Sequence, residues 1–386
     1  MAFSSLLRAA LILTSLPLLN AHAIDLRSCQ GPQLALIETA IEAAFDMAAA
    51  AQAALHADKP ELRDPNVQRL INLLFGNTAD LTTVDKSFTG LEARRTRLDL
   101  QNDKDDLEEQ AEMMFYCNMD RFEFRGDLVG PTARWIGTDT NKYFDDDESR
   151  SVTECKSGKD ITLAYTINFE KRIDMKGGRI VGQTDTPAQI TLCPWFIEWA
   201  TNAPYSTFST AVKAKLARAL IPLSAQNPFN YPLAPVDAYG LLEKVILHEL
   251  THTLAGGKSD DVSLSMIQGG LPFAGVAYGW RAATNLVEQQ ATGDRSPTKN
   301  ADSLALFASG VRLLNLTPPK YVERDGGLSG TVPLVKKRSL PHELAYQSTP
   351  VVFEGFITKI KEARSAATSV VIEDDMSQVV PGIVSH

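Results

Sequence analysis

Residues 245–254 read VILHELTHTL, with two histidines four apart and a glutamate directly after the first. On an α-helix such positions lie one above the other, so His248 and His252 can turn imidazole nitrogens toward a single cation. Glu249 projects beside them, where a carboxylate can take the proton of an attacking water. The chemistry implied is hydrolysis at a zinc ion. The plain alternative is a helix with two surface histidines that bind nothing. Apart from this pair, the chain after residue 23 holds only His56, His342 and His386, and His342-Glu343-Leu344 repeats the opening letters without a second histidine.

Two imidazoles do not complete a catalytic zinc site, which needs a third protein ligand and an open position for water. A third histidine in the pattern H-E-x-x-H-x-x-G-x-x-H is excluded, because Ala255 and Lys258 stand where glycine and histidine are required. A glutamate from a later helix remains open, with Glu288 in NLVEQQ as the candidate. An aspartate soon after the histidines is also open, since GGKSDDV offers Asp260 and Asp261.

With that last option, HELTHTLAGGKSDD resembles the zinc site of the aspzincins, the secreted, mostly fungal family of deuterolysin and the peptidyl-Lys metalloendopeptidases. The resemblance implies that Asp261, second of the Asp-Asp pair, is the third ligand, with its neighbour Asp260 as runner-up. It further implies an α+β, zincin-like fold, mainly helical with a small mixed sheet, that holds one Zn²⁺ ion and cuts protein or peptide substrates. The family signature places a Tyr-Gly pair shortly after the aspartate, whereas here Tyr278-Gly279 follows Asp261 by seventeen residues. The intervening VSLSMIQGGLPFAGVA reads as an insertion, rich in glycine and apolar residues. By the same resemblance Tyr278 is a catalytic residue that donates a hydrogen bond to the oxyanion. Looser likenesses follow in order: Cys29 before an alanine-rich helix, LLFG, FYCNMDRFE, Cys193-Pro194 and NADSLALFA. Together they span about residues 29–316 and suggest no large propeptide. A competing reading is a catalytically silent zincin-like protein, secreted for binding, in which the displaced tyrosine marks lost turnover.

The elements that must position these groups are legible in part. QLALIETAIEAAFDMAAAAQAALHA (33–57) has apolar residues at helical spacing, and NVQRLINLLFG (66–76) is a second helix ended by its glycine. LDLQNDKDDLEEQAEMM (98–114) is expected to continue the helical layer. ITLAYTINF (161–169) and AQITLCPWF (188–196) are β-branched and alternate in part, which predicts strands. The resemblance makes the second of these the edge along which an extended substrate lies. TAVKAKLARAL (210–220) predicts a helix, and Asp237 is placed to N-cap a long helix carrying the motif. WRAATNLVEQQ and NADSLALFASGVRLL predict two more. Trp195, Trp199 and Trp280 are expected in the core.

The ends and composition bound the setting. Residues 1–23 place Arg8 before an apolar run that finishes in Ala21-His22-Ala23, the pattern of a secretory signal peptide cut after Ala23. The chain is therefore expected to be secreted, with a catalytic domain over 24–316. Periodicity fades after Leu316, and 317–386 reads as a C-terminal tail or appendage. Within it Lys336-Lys337-Arg338 is an exposed basic loop or a processing site; at its start, Asn315-Leu316-Thr317 is a glycosylation sequon weakened by the proline that follows. Cys29, Cys117, Cys155 and Cys193 predict two disulfides in an oxidising compartment, with three pairings open. The leader carries one positive charge and no acid, so the net charge of −9 becomes −10 without it. That balance argues against nucleic acid or an anionic membrane as partner, and a monomer is expected.

Overall fold

The computed structural model describes residues 19–56, 63–98, 111–125, 134–139, 142–144, 146–157, 162–168, 172–176, 179–184, 187–202, 206–208, 221–222, 232–268 and 271–333. The first half forms β1 (Leu19–Ile24), α1 (Gly31–Leu55), α2 (Pro65–Leu74), α3 (Thr82–Glu92), β2 (Ala111–Tyr116), β3 (Phe122–Arg125), β4 (Arg134–Gly137), β5 (Lys142–Tyr143), α4 (Asp146–Ser157) and β6 (Ala164–Ile167). The rest forms β7 (Arg172–Lys176), β8 (Arg179–Thr184), β9 (Ala188–Leu192), α5 (Pro194–Asn202), β10 (Ile221–Pro222), β11 (Pro232–Leu233), α6 (Pro235–Ala238), α7 (Leu241–His252), β12 (Ser263–Gln268), β13 (Leu271–Val276), α8 (Trp280–Glu288), α9 (Ala301–Leu314), β14 (Tyr321–Val322) and β15 (Leu328–Ser329). The class is α+β. The helix expected over 210–220 and the basic run 336–338 lie outside the described residues.

Alanine at 40, 44, 48 and 51 gives α1 a smooth buried face, and α3, α7 and α9 pack close to it. Ile37, Ile41 and Phe45 add the bulk on that face. This wraps α7 completely: every residue from Leu241 to Thr251 is buried, Glu243, Lys244, His248 and Glu249 included. Charged side chains are almost never buried without partners or a role, so a helix threading them through the core is a chemical signal in itself.

The central sheet has strand order β1-β2-β9-β6, with β1, β2 and β9 parallel and β6 antiparallel at the edge. Several expectations change here. Strand β9 is interior, paired on both sides, so among the described residues the free edge beside the motif helix belongs to β6. The predicted second strand also ends early, because Pro194 starts α5 and carries Trp195 and Phe196 into a helix. Ala111 to Met114, assigned above to the helical layer, lie in β2, where burial on both faces suits a continuous apolar run better than a helical stripe. Asp237 does not cap the motif helix. Gly240, in the left-handed conformation with φ 66°, stands at its N-cap, and Asp237 sits in the short α6.

Trp195, Trp199 and Trp280 are buried. The insertion 262–277 contains the antiparallel hairpin of β12 and β13. Tyr321–Val322 and Leu328–Ser329 pair, Val322 is buried, and Gly326 O accepts from Val236 N, so residues following Leu316 pack on the helical body. At the other end, Ala21 to Ile24 are buried in β1, and only Ile24 of that strand lies beyond the expected cut. Two disulfides join Cys29 to Cys117 and Cys155 to Cys193. Among the described residues no helix is long and apolar enough to cross a membrane.

Candidate metal centre

One helical turn separates His248 from His252 on α7, and their Nε2 atoms lie 3.1 Å apart. The loop after α7 returns Asp261 between them, its Oδ1 3.1 Å from His248 Nε2 and 3.4 Å from His252 Nε2. These three residues form a group able to hold a metal ion. Glu288 is elsewhere: it is exposed on α8 and pairs with Arg324 at 3.2 Å. Asp260 points its chemistry through its backbone, which bridges to 299–301 while its side chain stays exposed at the cleft.

The size of the triangle tests the fit. A tetrahedral ion bound at about 2.0–2.1 Å to nitrogen and oxygen needs neighbouring donors about 3.3 Å apart. Edges of 3.1, 3.1 and 3.4 Å match that requirement. The electrostatics agree. Burial opposes charge on His248, yet the Asp261 and Asp302 carboxylates outweigh it and push its pKa up to about 10. Burial likewise opposes the charge on Asp261, and the two histidines still hold it well below the usual carboxylate range. The pocket therefore draws positive charge to the point where the three donors meet.

Both candidate histidine ligands are oriented from behind. His252 Nδ1 lies 2.7 Å from Ser259 O, and Ser259 is tied back to α7 through Thr251. His248 Nδ1 faces Asp302 Oδ1 at 3.4 Å. Partners of this kind fix the ring so that Nε2 presents its lone pair to the ion. The loop 253–261 is locked by close packing on α3. A Cβ on Gly90 would stand 2.0 Å from Ala255 O, and one on Gly256 would stand 2.1 Å from Leu250 O. Ser87 Oγ also donates to Gly256 O.

Glu249 is buried beside the histidines, and Thr166 Oγ1 on β6 donates to its Oε2 at 2.8 Å. Burial raises the Glu249 pKa against the pull of both histidines. Tyr278 comes back to the centre despite the long hairpin before it. Its hydroxyl donates to Asp261 Oδ2 at 2.5 Å, and the residue, 36% exposed, lines the cleft. Burial of the hydroxyl and the Asp261 charge keep it protonated far above the ordinary tyrosine range.

Three anchors account for that return. Ala277 N donates to Val262 O across the base of the hairpin, Gly279 N to Asp302 Oδ2, and Trp280 N to Asp237 Oδ1. The cleft holds about 740 Å³ and is walled by β6, α4 and the base of the hairpin. Sequence reasoning missed Thr166, Asp302 and Lys244, and gave Asp237 the role of a helix cap instead of its place behind the site. For Lys244 a signal existed, since it stands four residues before His248 on the same helical face.

No family model, curated protein or solved structure matches this chain.

Proposed function

We propose that the chain is a secreted zinc endopeptidase with a zincin-like architecture, akin to the aspzincins. The observation that carries this is the donor triangle of His248, His252 and Asp261 with Glu249 alongside. Zinc is favoured because two imidazoles and one carboxylate, four-coordinate once a water is added, are its usual catalytic donor set. Bound there it supplies Lewis acidity, polarising a peptide carbonyl and lowering the pKa of water toward about 7.

The chain's own residues do the rest. The antiparallel edge of β6 accepts an extended peptide as an added strand, which lays the scissile bond across α7. Glu249, held by Thr166, takes a proton from the attacking water and passes it to the leaving amine. Its raised pKa suits a group that must both accept and return a proton. Tyr278 turns its hydroxyl from Asp261 to the developing oxyanion, a donor already within the site. The leader-like start and the two disulfides support secretion.

One observation favours the second reading, a silent binding protein: the Tyr278 hydroxyl is already engaged by Asp261. Metal analysis with a casein digestion assay separates the two. Wild type is expected to carry about one zinc and to cut casein, and Glu249→Ala to keep the zinc and lose about 10²–10⁴-fold in rate. Zinc binding with no cleavage by either protein sinks the enzyme.

A further inference from the structure

Lys244 is buried on α7, one turn before His248, and lines the floor of the cleft. Its Nζ lies 3.8 Å from Asp237 Oδ1 and 3.7 Å from Asp302 Oδ1. Both carboxylates are buried, and both are engaged by groups that matter to the centre. Asp302 faces His248 Nδ1 and accepts from Gly279 N, while Asp237 accepts from Trp280 N and from Ala234 N. One ammonium thus stands between two acids, and those acids hold a metal ligand on one side and the two residues after Tyr278 on the other. Nothing in the hydrolytic reading requires a lysine here.

Two carboxylates this close repel one another when buried, and removing their shared cation leaves an uncompensated charge. The two acceptors would then move apart, which loosens His248 and the 279–280 amides together. We propose that Lys244 is a positioning residue that, by clamping Asp237 and Asp302, sets the orientation of His248 and the placement of Tyr278. The inference rests on the metal-site reading above and adds that the site's geometry is fixed by a charge buried on the far side of its first histidine.

The test uses the full chain and measures metal binding, so it does not depend on peptide cleavage. Zinc affinity is measured by chelator competition, and the coordination geometry from the visible spectrum of the cobalt-loaded protein. Lys244→Met keeps the stem and removes the charge; it is expected to weaken zinc binding about 10–100-fold, the usual effect of losing an orienting partner, and to alter the cobalt spectrum. Lys244→Ala is expected to lose a similar amount, with propylammonium restoring part of it and propanol restoring none. Wild-type zinc affinity in Lys244→Met, or equal rescue by the alcohol, overturns the inference and leaves the metal site standing. If the wild-type chain itself binds no zinc, the metal reading falls and the inference with it.

Discussion

At the scale of single residues, the carboxylate of Asp261 closes the donor triangle that His248 and His252 begin. The histidines and Glu249 are five letters on one helix, and the regular geometry of a helix converts spacing directly into shared direction. Asp261 also follows within a short loop, so local spacing offered it along with Asp260 and Glu288. Asp261→Ala is expected to lower zinc affinity by far more than Asp260→Ala or Glu288→Gln, each of which should stay within about threefold of wild type; competition with a chelator gives all three values. A large loss in Glu288→Gln alone would reverse the assignment. The roles of Asp302, Thr166 and Asp237 at the site were illegible because they reach it across space, from α9, β6 and α6, and no spacing in the chain records those approaches. Tyr278→Phe removes the hydroxyl without removing a ligand, so it is expected to reduce the rate of casein cleavage about 10–10³-fold while zinc content stays near one.

At the scale of elements, the helices were the easier part, since α1, α2, α8 and α9 each carry an apolar stripe or alanine run that stands out at a period of 3.6. The sheet order was not readable, because β2 and β9 are buried on both faces and an unbroken apolar run fits a strand or a helix. Two element-level predictions follow from packing. Gly90→Ala puts a methyl 2.0 Å from Ala255 O, so α3 must shift or push the ligand loop. Weaker zinc binding is expected together with a lower melting temperature, although residue 90 touches no ligand. The second concerns Glu243 in the first turn of α7, whose Oε2 accepts from Phe208 N. Burial pushes its pKa up from 4.5 to about 7. An acid whose folded value is raised keeps its proton longer in the native state, so stability falls as pH rises from about 4.5 through about 7. Glu243→Gln keeps an acceptor for Phe208 and never ionises. Thermal unfolding should show it level with wild type near about pH 4 and more stable near about pH 8, by on the order of 3 kcal/mol.

At the scale of the molecule, the two disulfides tie distant parts of the sheet layer to its neighbours. Cys29–Cys117 links the start of α1 to the end of β2, and Cys155–Cys193 links α4 to the end of β9 beside the cleft. They span 88 and 38 residues, and chain-entropy arguments give each about 4–5 kcal/mol of stabilisation. Replacing both cysteines of the first pair with serine is expected to lower the denaturant midpoint more than replacing those of the second, because the longer loop constrains more of the unfolded chain; equilibrium unfolding in urea measures both. That cysteines would pair was evident from their number, while the pairing itself needed the fold. The close contact of Gly90 with the loop past the second histidine has a wider meaning. With α3 close against Ala255, the loop that leads to Asp261 has little room to withdraw from α7, so on the metal-site reading the donors are expected to stay near their present spacing of 3.1–3.4 Å. Calcium, which takes six to eight oxygens at about 2.3–2.6 Å, would find this triangle too narrow. On that reading the helix packing would gauge ionic radius, favouring small cations by the tightness of the loop as well as by donor chemistry.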